Sequence, residues 1–142
     1  MLFIINGFIS NAIISQVPIT WDQLATATWE EKVDTNGLVS LSANFGAELE
    51  KLNEQEVIIS GYVIPLDAMG FSYALSANSF AACFFCGQAG PETVMELKVT
   101  PKSVNSYDQK TELLTFRGTL ILKESNPLGL NYILQGAKRV NK

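Results

Sequence analysis

Val57-Ile58-Ile59-Ser60-Gly61-Tyr62-Val63-Ile64-Pro65-Leu66 is the segment that most limits what this chain can fold into. Its β-branched and aromatic residues fit a pleated, half-buried surface far better than a helix. Gly61 sits in its middle, and a glycine inside a strand marks a bulge or a sharp bend, as at a barrel corner. Pro65 has no N–H for a ladder, so the strand ends or reaches an edge there. A second long run, residues 113–123, repeats the pattern with Gly118 at its centre.

The remaining elements fall around these two. Thr20-Trp21-Asp22-Gln23 reads as a capping box that opens a short helix, with Trp21, Leu24 and Ala25 on one face. Residues 29–33 read as a strand closed by the turn Asp34-Thr35-Asn36-Gly37. Phe45, Leu49 and Leu52 share a helical face, and Asn53 is a reasonable stop. Residues 71–75, 94–99 and 130–134 complete the strands, and the polar run 102–111 reads as a long hairpin connection. Residues 138–142 read as a solvated basic tail. Five to six strands, one or two short helices and mid-strand glycines predict a mainly β protein. The expected form is a small OB-like barrel, with a β-sandwich as the alternative.

The chain has 142 residues, consistent with a single domain, and is 47% hydrophobic, enough for one real core. Its net charge is −4, and no basic stripe is present, which argues against nucleic acid and against phosphate partners generally. Its aromatic residues fall mostly at core-facing positions, rather than forming a stacking platform for single strands. Residues 1–15 carry no charge and are too short to span a bilayer, which takes about 20 residues. They read as a signal peptide with a cleavage point after Ser15, leaving residues 16–142 as the mature barrel domain without a membrane span. A buried N-terminal strand is the competing reading.

Candidate chemistry concentrates in Cys83-Phe84-Phe85-Cys86-Gly87, which holds both cysteines of a chain with no histidine. An active redox dithiol usually opens a helix, whose dipole lowers the thiol pKa. Here Gly87-Gln88-Ala89-Gly90-Pro91 follows, and that run does not readily start a helix. A metal knuckle is the second reading, with Cys83 and Cys86 as half of a zinc or copper site. Glu92, Asp67 or a second subunit of a homodimer would supply the other half. In the third reading the cysteines are structural, either buried with Phe80, Phe84 and Phe85 as a lid on one barrel end or closed as a small disulfide. Asp67 and Glu92 read as either a carboxylate pair flanking the loop or two turn caps. No Ser-His-Asp set is possible without histidine, and no P-loop or dinucleotide fingerprint is present.

Several of these blocks resemble the DUF3299 family of bacterial secreted proteins. They are Gly61-Tyr62-Val63-Ile64-Pro65-Leu66-Asp67, Phe80-Ala81-Ala82-Cys83-Phe84-Phe85-Cys86-Gly87-Gln88-Ala89-Gly90-Pro91-Glu92, Gly118-Thr119-Leu120 and Asn131-Tyr132-Ile133-Leu134. The resemblance covers residues 45–137. It implies a small β-barrel exported to the bacterial envelope or periplasm, with an envelope protein or transporter component as partner. Relatives carry a Cys-His-Pro-rich loop at the place of this C-x-x-C, which favours metal binding modestly. No catalytic residues are implied. The expectation is therefore a non-enzymatic envelope binding or accessory module, with Asp67, Phe84, Phe85, Gly87 and Glu92 in its ligand or partner surface. A metal-handling protein and a thiol-disulfide redox protein are the alternatives.

Overall fold

In the computed structural model we describe residues 15–67, 69, 72–79, 89–99, 112–127 and 129–141. The expected hairpin connection at 102–111 and the first fourteen residues lie outside the described residues. Among the described residues there are eight strands: β1 Val17–Pro18, β2 Thr28–Val33, β3 Val39–Asn44, β4 Glu56–Pro65, β5 Tyr73–Ser76, β6 Val94–Val99, β7 Leu114–Leu122 and β8 Tyr132–Arg139. Two short helices, α1 Trp21–Leu24 and α2 Gly46–Glu50, accompany them.

Five of the strands close into a barrel in the order β4-β5-β6-β8-β7 and back to β4. β4 closes it by dividing its pairing. Its first half, through Gly61↔Leu114, lies against β7, and its second half, from Tyr62↔Ser76, lies against β5. The change of partner falls at Gly61. A Cβ there would lie 2.7 Å from the Ser76 carbonyl oxygen and 2.8 Å from Leu75 Cγ, so the bend requires a residue without a side chain. β1 adds in parallel to the part of the β4 edge that β5 does not reach, pairing Val17↔Val57 and Pro18↔Ile58.

The β7–β8 ladder carries a bulge. Arg117↔Lys138 and Thr119↔Gln135 leave one residue on β7 opposite two on β8, with Gly136 at φ 60°. The run around Gly118 is one continuous strand, and the extra residue of the bulge belongs to β8. β8 also extends five residues past the expected end at Leu134, because β6 and β7 both pair with it. Lys138 and Arg139 consequently belong to a strand and not to a free tail, although both stay exposed.

The barrel interior is filled by Val57, Ile59, Val63, Leu75, Met95, Leu97, Phe116, Leu120, Tyr132 and Leu134. α1 is held by the expected capping box. Thr20 Oγ1 accepts from the Gln23 N–H at 3.3 Å, and Gln23 Oε1 accepts from the Thr20 N–H at 2.8 Å. Trp21 Nε1 donates to the Ser60 carbonyl at 2.8 Å and fixes the helix to β4. α2 is shorter than the 45–52 span expected. Phe45 and Leu49 are buried as predicted, whereas Asn53 ties the segment to β7 by accepting from the Leu122 N–H at 2.9 Å.

Candidate functional site

β2 and β3 stand apart as a two-stranded hairpin packed on the barrel. Asp34 shapes its turn: Oδ1 accepts from the N–H groups of Asn36 at 2.8 Å and Leu38 at 2.9 Å. Residues two apart on a strand share a face, so Ala43, Leu41 and Val39 form one stripe on β3. Their cross-strand partners Trp29, Glu31 and Val33 lie on the same face. The base of that stripe is packed: Ala43 is buried, and Trp29 meets Tyr132 edge-on with ring centroids 6.3 Å apart. Trp29 Nε1 is buried and finds no acceptor among the described residues.

Toward its tip the hairpin loses this support. Leu41 is 47% exposed, Val39 58%, Val33 66% and Leu38 67%. Four of the seven large exposed hydrophobic residues among those described therefore cluster on one hairpin end. Under them lies a cleft of about 490 Å³. Leu38, Val39 and Leu41 form one wall, and Pro127, Leu130 and Asn131 of the β7–β8 connection form the other, with Pro91 between them. The far wall is stiffened from within, because Asn126 Nδ2 donates to the Leu130 carbonyl and Asn131 Nδ2 to the Lys123 carbonyl, both at 2.8 Å. The hairpin is pinned to the start of that connection by Ala43 N–H donating to the Glu124 carbonyl at 2.8 Å. A mainly apolar cleft that also carries the polar side chains of Asp34, Ser40, Asn126 and Asn131 suits non-covalent recognition.

Cys83, Cys86, Phe84, Phe85 and Gly87 lie outside the described residues, as does Phe80. The connection that carries them leaves β5 after Ser76 and enters β6 at Val94, and Ser76 and Val94 are paired neighbours. Glu92 sits in the 3-10 turn Pro91–Thr93 at that end, next to the cleft-lining Pro91. Asp67 lies two residues beyond Pro65, which pairs through Tyr73 to Leu97 at the other end of β5. Asp67 and Glu92 therefore occupy opposite barrel ends and do not form a carboxylate pair. Asp67 caps a turn by accepting from the Met69 N–H at 2.9 Å. Burial, with the Glu92 charge adding to it, pushes the Tyr132 phenol above its ordinary pKa. Among the described residues no group of three cysteine, aspartate or glutamate side chains is placed to hold a metal ion. No helix among them is long and apolar enough to cross a membrane.

The cleft residues Leu38, Val39, Leu41, Pro127 and Leu130 did not stand out in the sequence. The available signal was the pair Leu38-Val39 directly after a polar turn, where a solvated hairpin tip ordinarily carries polar residues.

The fold that surrounds this cleft is defined by its strand order. Numbered within the barrel, the strands run 1-2-3-5-4-1 with the third and fifth parallel, which is the OB-type arrangement. In structure the chain is similar to a DUF3299 family protein from Pseudomonas aeruginosa, a member of the family its motifs resemble. The two are 15% identical with a TM-score of 0.49, over 90% of this chain and 98% of that one. No family model matches the chain, and no curated protein matches it.

Proposed function

We propose that this protein is a non-catalytic binding or accessory module of the bacterial envelope, and that its partner surface is the cleft at the hairpin end of the barrel. The observation that carries this reading is the uncovered half of the hairpin stripe. Leu41, Val39 and Val33 continue, beside Glu31, the face whose other half, Ala43 and Trp29, is packed against the core, and Leu38 adjoins them at the turn. A contiguous apolar patch rimmed by polar residues is the usual mark of an interaction site. The connection bearing Cys83 and Cys86 is anchored at the same end, which supports including it in the partner surface.

The export part of the proposal is supported by the uncharged segment 1–15. Cleavage after Ser15 would leave β1 intact, because pairing begins at Val17. The test has two arms. Immobilised wild-type protein and a Leu41→Asp variant are exposed to envelope extract, and a partner is expected to be retained by the wild type and lost from the variant. Retention of the same proteins by both, with both folded, sinks the cleft as the partner surface. N-terminal sequencing of the protein from a periplasmic fraction should begin at Gln16. Intact protein confined to the cytoplasm sinks the export reading.

A further inference from the structure

We infer that the β7–β8 bulge forms a binding notch for a small oxyanion of the phosphate type, on a face of the barrel separate from the partner cleft. Arg117 and Lys138 are directly opposed across the ladder, and both side chains are exposed. Side chains so paired lie about 5 Å apart at Cβ, and like charges there repel. The chain has 14 acidic residues, yet neither cation has an ion-pair partner among the described residues, whereas Lys32, Lys51 and Lys98 each have one. The repulsion is left standing in a protein whose net charge is negative.

The bulge beside the pair supplies room. Gly136 has open space where a Cβ would stand, and with Gly118 it contributes to a groove of about 340 Å³. Arg117 and Lys138 line one part of the groove, and Thr119, Gln135 and Glu56 line the rest. Arginine offers a planar pair of donors and lysine a compact point charge, and together they match an oxyanion carrying two charges. Glu56 is the opposing charge in the groove. Its carboxylate accepts from Gln16 Nε2 at 3.4 Å and is not bonded to either cation. Arg139, the next residue on β8, lines a different groove with Glu112 and takes no part. The overall charge argues against phosphate partners only on average, because the two opposed cations set the local field over the short distances that matter in salt.

The test is a titration of full-length protein with inorganic phosphate at fixed ionic strength, followed by backbone amide NMR, with acetate and chloride as controls. Saturable shifts are expected at Gly118, Thr119 and Gly136, larger for phosphate than for acetate. Arg117→Gln/Lys138→Gln should abolish them, and Glu56→Gln should tighten binding by roughly two- to fivefold, the range of an exposed charge pair. Absence of saturation, equal responses to acetate, or persistence in the double variant each overturns the notch. An unchanged affinity in Glu56→Gln does the same, because it would show that binding ignores the local charge.

Discussion

Tyr132, in β8, donates its phenolic proton to the main-chain carbonyl of Leu24, in α1, at 2.7 Å, across 108 residues of sequence. The two side chains are among the most deeply buried in the molecule. Phe45 and Trp29 pack on the Tyr132 ring, so one phenol joins barrel, hairpin and both helical segments. Replacing it with Tyr132→Phe keeps the ring and leaves the Leu24 carbonyl with only the longer bond from the Ala27 N–H, at 3.3 Å. Loss of one buried hydrogen bond costs about 0.5–1.5 kcal/mol, which we expect to read as a lower urea midpoint with an unchanged slope.

The same phenol sets an alkaline limit. Burial, with the Glu92 carboxylate adding to it, raises its pKa in the folded protein above the value of about 10 expected when unfolded. The stabilisation is fully present below pH about 10 and is lost as pH rises toward the folded-state pKa, because the unfolded chain ionises first. Urea midpoints measured between neutral pH and about pH 11 should fall steeply for the wild type above pH about 10, and less steeply for Tyr132→Phe. Parallel curves would remove Tyr132 from the alkaline transition.

Gly61 is the point at which β4 changes partners, and a methyl group there would press on the Ser76 carbonyl and on Leu75. Gly61→Ala should cost about 1–3 kcal/mol by overpacking. Gly37→Ala on the exposed turn is the comparison: nothing stands within 4 Å of its Cβ position, so its penalty comes from the positive φ alone. Equal losses in urea unfolding would mean that the β4 bend does not depend on the close approach.

The barrel was legible where the chain carries its own signal. β4 and β7 are runs of β-branched and large apolar residues around a glycine, and the first helix is announced by Thr20 and Gln23. β3 was missed because Val39-Ser40-Leu41-Ser42-Ala43-Asn44 is rich in small polar residues and becomes a strand only by pairing with β2. β8 runs on through Gln135, Gly136, Lys138 and Arg139 because two neighbours pair with it, a tertiary effect that hydrophobic pattern does not carry. The cleft was hidden for a similar reason, since it places Leu38 and Leu41 beside Pro127 and Leu130, nearly ninety residues away. The cysteine spacing drew attention to one loop, whereas the strand at 29–33 and its turn were read from the sequence without the partner strand that makes them a hairpin.

We expect Cys83→Ser/Cys86→Ser to weaken partner recognition less than Leu41→Asp does, because the cleft walls are formed by other residues. Elemental analysis of both proteins, purified without chelator, belongs with this experiment. Stoichiometric zinc or copper in the wild type that is absent from the double variant would replace the binding-module reading with a metal-handling one.

The most direct measurement is site-specific photocrosslinking in envelope extract, with the reactive residue placed in turn at Leu38, at Leu41 and at Thr119 on the barrel wall. We predict a discrete adduct of one size from Leu38 and Leu41. Excess unlabelled wild-type protein should compete it away, and the Leu41→Asp protein should not. That substitution places a carboxylate opposite Glu31 and should itself cost no more than about 1 kcal/mol. No adduct from either hairpin position, or the same adduct from Thr119, would contradict a partner surface at the hairpin end of the barrel.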